Sequence, residues 1–404
     1  MEENNDVTAA WASIGDVSEC SARVDAQVRS LLGRVLAQRR SVEVAFGYVT
    51  ALAPRVKANC WAIAEEAGHE GPHRMQALLG SYRWDWGRLR GELAGLAAAW
   101  LPCDPGDLLG PGAVIDETAQ LKYGDATACV APQHAGITGQ VENCVTAVFS
   151  AYVITSGQAW ADFDVYMPGR RAKNPERRRA AGIPDDLVLT TKPDLAVAQL
   201  GRLIAAGLPV SWAAFDEVYT RSGKLREACE QAGLAYVGII PCDFPVTLPR
   251  KRSKPERTCS AGDQCQARTW DAVCRHTALA ALAQLRQAAI RNALCGLIDL
   301  PPATAAAATG TSHAGTHADD ADLRIPLGDA PIPAYPGQPR PRRLGVIRLS
   351  VAETARLARL AADWAAGLLT PAQLAFRLRW STRRRRHQAA ARWHHHAARL
   401  AAAT

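Results

Sequence analysis

Two pairs of adjacent carboxylates follow apolar runs in this sequence, and their type and spacing suit metal-dependent chemistry. In GPGAVIDETAQLKYGD an apolar run ends at Asp116 and Glu117, and one hundred residues later LPVSWAAFDEVYTRSGK repeats the pattern at Asp216 and Glu217. Two neighbouring carboxylates repel each other unless a cation lies between them. Mg²⁺ and Mn²⁺ prefer such oxygen ligands, and paired ions promote phosphodiester cleavage. The residues alone therefore indicate a metal-dependent nuclease or strand-transfer enzyme, with Asp116 and Asp216 as catalytic metal ligands.

A simpler interpretation exists for each acid taken separately. Asp and Glu after a strand often cap the next helix or begin a turn. The matched pair favours the catalytic interpretation for the aspartates, whereas Glu117 and Glu217 are interpreted as supporting or capping groups. A hydrolase with an Asp nucleophile is a further alternative, but the lysine and additional acids that it needs at strand ends are not clearly marked.

The elements that must position these acids form a predicted α/β core. Three strands are expected at GAVIDET, NCVTAVFSAYVIT and QAWADFDVYMP, with a tight turn at Ser156-Gly157. The helices KPDLAVAQLGRLIAAG and SGKLREACEQAG then alternate with the strands PVSWAAFDE and LAYVGIIP. This order predicts a mixed sheet in which the first and fourth strands are neighbours. Asp116 and Asp216 would then lie side by side at the carboxyl edge of the sheet.

Helical and low-complexity segments flank this core. Helical periodicity covers residues 22–100, and the segment TWDAVCRHTALAALAQLRQAAIRNAL predicts a long helix. Residues 301–343 are rich in Pro, Ala, Gly and Thr, a composition typical of a disordered linker. We therefore predict four regions. Residues 1–104 form an N-terminal helical, DNA-binding domain, and residues 105–300 form the core. Residues 301–343 form a disordered linker, and residues 344–404 form a basic C-terminal helical module.

The composition fits a soluble protein that handles a polyanion. The 404 residues carry a net charge of +8, the pI is about 9.0, and 48% of the residues are hydrophobic. A basic balance favours nucleic acid or an anionic surface as partner. The 11 cysteines lack a C-x-x-C pair, which argues against a zinc site or a disulfide framework. The polar N-terminus and the lack of a long apolar run predict a cytoplasmic protein without a membrane partner, associated with the nucleoid when it is bound to DNA.

Several segments, in order along the chain, resemble one family. MQALLGSYRWDWGRLRGEL, VIDETAQLKYG, QHAGITGQVENCVTAVFSAY, FDEVYTRSGKLREACEQAGLAYV and RTWDAVCRHTALAALA are similar to blocks of DDE-type transposases of the insertion-sequence 701 family, common in actinobacteria. The resemblance implies a ribonuclease-H-like catalytic core, Mg²⁺ (or Mn²⁺) as cofactor, and cleavage and strand transfer at the ends of a mobile element. It implies Asp116 and Asp216 as the first two acids, double-stranded DNA (terminal repeats and target) as partner, and self-association as a homo-oligomer.

The third acid of such enzymes has no counterpart in the sequence. Related transposases carry it as a glutamate on a helix after a long insertion, whereas here the chain passes quickly from the fifth strand to the helix at Trp270. Glu256 lies in a loop-like context, and Glu353 is interpreted as a solvated helix residue. We therefore predict an internal deletion that leaves catalysis in doubt, with a non-catalytic DNA-binding transposase remnant as the alternative.

Basic side chains supply the predicted DNA contacts. The segment STRRRRHQAAARWHHHAARL is the strongest basic stretch, with a solvated tail as the alternative interpretation. Further basic residues flank the N-terminal tryptophans and the presumed groove. The predicted DNA-binding set is Arg83, Arg88, Arg170, Arg171, Lys192, Arg383, Arg384, Arg385, Arg386 and Arg392.

Overall fold

A computed structural model describes most of the chain, and it contains two compact units. The described residues are 11–52, 59–104, 107, 109–155, 157–169, 174–240, 269–296, 298, 324–327, 330–341 and 344–402. One unit comprises residues 28–288, and the other comprises residues 1–27 together with residues 289–404.

Eight strands occur in the described residues: β1 (Trp11–Ser13), β2 (Gly112–Leu121), β3 (Ala131–Ala135), β4 (Gln140–Ile154), β5 (Gly157–Val165), β6 (Trp212–Phe215), β7 (Ala235–Gly238) and β8 (Arg324–Pro326). The described helices are α1 (Ile14–Val35), α2 (Arg39–Ala51), α3 (Cys60–Glu66), α4 (His73–Leu79), α5 (Trp86–Trp100), α6 (Pro175–Ala180), α7 (Lys192–Ala205), α8 (Glu217–Thr220), α9 (Lys224–Gln231), α10 (Trp270–Leu294), α11 (Val351–Ala365) and α12 (Pro371–Ala402). Within these ranges, no helix has the length and apolar character that a bilayer crossing requires.

The larger unit is built on a mixed six-stranded sheet. Strand β4 pairs antiparallel with β2 along one edge, and it also pairs antiparallel with β3 and β5. Strand β2 pairs parallel with β6, and β6 pairs parallel with β7. The prediction of a mixed α/β sheet in which the first and fourth predicted strands are neighbours is confirmed. The sequence analysis missed β3, a short strand with Pro132 as its second residue.

Helix α7 covers one face of this sheet because its apolar side fits the strand residues. Thr191 caps the helix with its Oγ1, which accepts from the backbone N of Asp194 at 3.3 Å. Ala196 and Leu200 pack with Ile115, Val148 and Phe215 in a buried core. Gly207 follows the helix with φ +72°, a conformation that favours glycine.

Ion pairs fasten two helices to strand β5. Arg90 of α5 donates to Asp164 at 2.8 Å, and Arg202 of α7 donates to Asp162 at 2.7 Å. Asp162 is almost fully buried, and burial is the first cause of the raised pKa of its carboxyl. These contacts attach α5 to the compact unit that holds the sheet. That unit comprises residues 28–288 and therefore extends across residue 104, where a boundary was predicted.

The smaller unit contains a strand pair and two long helices. Strand β1 pairs antiparallel with β8, with Ala12 opposite Ile325. Ala330 and Leu344 pack against Ala389 and Trp393 of α12. Part of the predicted disordered linker at residues 301–343 is therefore ordered. Composition did not reveal this strand because it is three residues long and its partner lies near the other end of the chain.

Glu353 in α11 is another correction, because it is buried and paired rather than solvated. Its side chain accepts from Arg384 at 2.8 Å and from Arg356 at 2.5 Å. Burial acts to raise the pKa of this carboxyl, but the hydrogen bonds from Arg384 and Arg356 outweigh it and lower the pKa. Glu353 therefore balances arginines within the smaller unit.

Candidate functional site

The two aspartates are brought together by the parallel pairing of β2 and β6. The register sets Ile115 opposite Phe215, the last parallel pair between these strands. Asp116 and Asp216 each follow that pair directly. Strand β2 continues to Leu121 because β4 pairs with it over its full length, so Asp116 lies in the middle of a strand and not at its end as the sequence suggested.

Close backbone approach at the start of these strands fixes their spacing. A Cβ on Gly112 would lie 2.2 Å from the ring of Trp212, its partner in β6. The indole Nε1 of Trp212 donates to the carbonyl of Gly110 at 3.1 Å. Glycine at position 112 therefore lets the indole cross β2 and hold the two strands together.

Asp216 combines a capping role with its place beside Asp116. It is the N-cap of α8, and its Oδ1 accepts from the backbone N of Val218 at 3.0 Å. The Thr220 hydroxyl donates to the Asp216 carbonyl at 2.8 Å. The capping interpretation is thus correct for Asp216, and it orients the carboxylate.

Asp116 has fewer contacts and greater exposure. Its Oδ1 accepts from the backbone N of Glu117 at 2.7 Å, and its side chain is solvent-exposed. Protein atoms around it still displace part of its hydration, and this burial is the main reason that the pKa of its carboxyl is raised. Asp116 is therefore open to a ligand from solvent.

Burial and the negative charges of neighbouring acids raise the pKa values of Asp116 and Asp216. The pKa of Asp216 rises from an ordinary 3.8 to about 6, first through burial and then through the negative charges of Glu117 and Asp116. Burial also raises the pKa of Asp116 by more than the charge of Lys192 lowers it, and that lysine is already paired with Glu117. A divalent cation would relieve this repulsion.

Glu117 lies on the opposite face of β2 from Asp116 and joins three elements. Side chains alternate along a strand, so Glu117 shares the core face with Ile115. Its Oε1 accepts from Nζ of Lys192 at 2.6 Å, and its Oε2 accepts from the hydroxyl of Tyr219 at 3.2 Å. Tyr219 is fully buried, and burial and the Glu117 charge raise its pKa. Glu117 therefore ties β2 to α7 and to α8, the helix that Asp216 caps.

Lys192 was predicted to contact DNA, whereas the structure places it in an ion pair with Glu117. Its side chain is mostly buried, and its ammonium group is paired with Glu117 and lies 5.5 Å from the ring centre of Tyr166. No sequence pattern marks this pair, since Glu117 and Lys192 are far apart along the chain. Tyr219 was also missed, although it lies three residues after Asp216 on the next helix.

In the part of the chain that the structure describes, no third acid is placed to complete a metal-ligand group with the aspartates, since Glu117 is paired with Lys192. The described residues contain no group of three or more His, Cys, Asp or Glu placed to hold a metal ion. Asp271 is the described acid of α10, and it accepts from the indole of Trp86 at 3.3 Å and from Arg275 at 3.4 Å. Glu256, the acid considered from sequence, lies outside the described residues.

The predicted DNA contacts fall into different environments. Arg83 and Arg88 in the larger unit are exposed, whereas Arg170 and Arg171 lie outside the described residues. In α12, Arg383 and Arg386 are exposed and Arg392 is half-buried.

Two arginines of the predicted set have structural partners instead. Arg385 is 1% exposed and donates to the carbonyls of Ile347 and Pro326 at 2.9 and 2.5 Å. Burial lowers its pKa to about 10. Arg384 is paired with Glu353. Arg385, which the sequence predicted as a DNA contact, instead faces inward and is held by backbone carbonyls.

Comparisons with known proteins indicate the family of this chain. A family model described as "DDE superfamily endonuclease" matches residues 35–295. The chain is 27% identical over 192 residues to the "Probable transposase for insertion sequence element IS701" of Microchaete diplosiphon. That match covers 47% of this chain and 46% of the relative, so the chain spans less than half of that relative's length. No solved structure matches.

Proposed function

Since this chain belongs to the DDE superfamily endonucleases, we propose that it is a DNA transposase acting at the ends of an insertion sequence. The activity is cleavage of a phosphodiester bond and transfer of the cut strand to a target. The similarity to the probable IS701 transposase supports this interpretation, and we infer the insertion-sequence 701 family as its closer group.

The observation that carries the proposal is the parallel pairing of β2 with β6. This register sets Asp116 and Asp216 immediately after one shared pair, Ile115 and Phe215. We infer a ribonuclease-H-like core from the same sheet, since three successive long strands pair antiparallel and two helix-linked strands then add in parallel.

The two aspartates fit the chemistry of a hard divalent cation. Both are oxygen donors whose pKa values are raised by burial, and repulsion from neighbouring acids adds to the rise at each. Mg²⁺ or Mn²⁺ held by Asp116 and Asp216 would supply Lewis-acid activation of the attacking oxygen and stabilisation of the leaving oxygen.

The remaining residues of the site act by positioning. The cap to Val218 fixes the Asp216 carboxylate. Glu117 holds the start of α8 against β2 through the Tyr219 hydroxyl. Lys192 compensates the charge of Glu117. Exposed arginines, including Arg83 and Arg88, provide the phosphate contacts that bring duplex DNA to this edge.

A second function has its own support. A non-catalytic transposase remnant would bind element ends without cutting them. Within the described ranges no third residue joins the aspartates as a metal ligand, which favours this function. An internal deletion that removed the helix with the third acid would explain it.

A cleavage assay separates the two functions. Duplex DNA carrying the terminal repeats of the element is incubated with the full chain and Mn²⁺ or Mg²⁺. A transposase nicks this DNA only with the metal, and Asp116→Ala abolishes the cut, whereas Asp186→Ala at an exposed surface acid leaves it intact. Binding of the same DNA without any metal-dependent cut would establish the remnant instead.

A further inference from the structure

Helix α12 carries an unusual distribution of charge. Its sequence, PAQLAFRLRWSTRRRRHQAAARWHHHAARLAA, contains Arg and His but neither Asp nor Glu. Such a surface complements a polyanion. The helix is distant in sequence from Asp116 and Asp216 and belongs to the other compact unit.

One side of α12 is fixed by packing within the smaller unit. Its buried residues recur at helical spacing and are Leu374, Leu378, Ser381, Arg385, Ala389 and Trp393. The hydrogen bonds from Arg385 to the carbonyls of Ile347 and Pro326 lock the rotation of the helix. The side turned to solvent is therefore determined by the fold.

That outer side presents aromatic rings next to cations. Phe376 and Trp380 are 55% and 44% exposed, and they follow each other by one turn. Their ring centres are 6.4 Å apart in an edge-to-face arrangement, and the Arg383 guanidinium lies 5.3 Å from the Trp380 ring centre. Phe376, Trp380 and Arg383 thus share one exposed helix face, which we name the aromatic-basic face.

Single-stranded nucleic acid is the partner that this face fits best. Phosphate neutralisation needs only arginine, so it does not account for two large rings kept in water. Unpaired bases stack on such rings, and arginine adds a cation–π contact. Bases in a duplex are already stacked on each other and do not offer their faces.

We propose that the aromatic-basic face of α12 binds unpaired DNA by stacking bases on Trp380 and Phe376. Arg383 stacks beside them, and the exposed Arg386 contacts the backbone phosphates. DNA is the expected strand because the chain belongs to a DNA-cutting superfamily.

The test compares a single strand that carries bases with one that lacks them. Fluorescence anisotropy measures the full chain with a labelled thymidine strand of about 12 nucleotides, a size within the range of single-strand sites. The same sugar-phosphate strand without bases, a duplex of equal length and a uridine strand serve as comparisons. Trp380→Ala is expected to weaken thymidine binding roughly 5- to 100-fold. It should change binding of the strand without bases by less than about twofold, because stacking is lost only where bases exist.

Matched variants separate stacking from bulk and from misfolding. Trp380→Phe keeps an aromatic ring and should retain most of the affinity, whereas Trp380→Leu keeps apolar bulk and should lose it. Trp61→Ala removes another exposed tryptophan, in α3, and should have no effect. Circular dichroism verifies that each variant is folded.

Four results would overturn the proposal. Trp380→Ala could weaken the thymidine strand and the strand without bases by the same factor. Trp380→Leu could bind as tightly as Trp380→Phe. The uridine strand could bind more tightly than thymidine, which would assign the face to RNA. Finally, the substitutions could affect binding to anionic vesicles while leaving DNA binding unchanged, which would assign the face to a membrane surface.

Discussion

Replacing Asp216 with Asn removes one charge from the acid cluster while keeping the cap of α8. Asn is as good an N-cap as Asp, so the hydrogen bond from Val218 is expected to persist. The substitution therefore isolates the electrostatic cost of the second aspartate. We expect it to stabilise the metal-free protein at neutral pH.

The magnitude follows from the raised pKa of Asp216. A rise from 3.8 to about 6 corresponds to about 3 kcal/mol between the two protonation states. Partial solvent exposure screens the charges, so we expect about 1–2 kcal/mol. A carboxyl with a raised pKa favours the folded state below its unfolded pKa, and that stability is lost as the pH rises through 6. The gain from Asp216→Asn should thus be small near pH 4 and complete above about pH 7.

The assay is denaturant or thermal unfolding of the full chain over a series of pH values. A gain of this size shifts the melting temperature of a unit of this length by a few degrees. Mn²⁺ should reverse the order, since the wild type gains binding free energy that the variant lacks. Asp186→Asn, at an exposed acid, is the matched control and should shift neither curve.

Two results would refute this reasoning. A loss of stability at pH 8 would mean that the Asp216 carboxylate makes a favourable contact that Asn cannot replace. A gain that is equal at pH 4 and pH 8 would mean that ionisation of Asp216, opposed by burial and by charge repulsion, does not cost stability.

The same kind of measurement tests three further residues. In a Glu117→Gln background, the gain from Asp216→Asn should be smaller, because after burial the charge of Glu117 is the largest cause of the raised pKa of Asp216; full additivity would contradict this. Gly112→Ala should cost about 1–3 kcal/mol because the new Cβ would meet the Trp212 ring at 2.2 Å, whereas Gly201→Ala, with open space around it, should cost nothing. Arg385→Gln should cost about 2–4 kcal/mol by leaving buried carbonyls without donors. The exposed Arg386→Gln should stay within about 0.5 kcal/mol, and equal losses at both arginines would show that the inward contacts of Arg385 are unimportant.

The sheet could be predicted because its strands carry strong local signals. The β-branched run before Asp116 marked β2, the apolar run before Asp216 marked β6, and the helix-linked order of the strands implied parallel pairing. The length of β2 could not be read from sequence, since its second half is held by β4. The polar second half of β2 is stabilised by its pairing with β4 more than by the β-propensity of its own residues.

The side-chain contacts around the site lay beyond sequence reasoning for a similar reason. The partnership of Glu117 with Lys192 and Tyr219 depends on which face of β2 each residue occupies and on where α7 begins. The inward direction of Arg385, in contrast, follows from the helical period of Leu374, Leu378 and Trp393. Because that period is visible in the sequence itself, it is sufficient to separate Arg385 from its neighbours in the arginine run.

Binding of Mn²⁺ to the full chain, measured by isothermal titration calorimetry, tests the central claim most directly. We predict that the wild type binds the ion, that Asp116→Asn and Asp216→Asn each abolish binding, and that Asp186→Asn leaves it unchanged. Undiminished Mn²⁺ binding by both aspartate variants would show that this pair of acids is not the metal site.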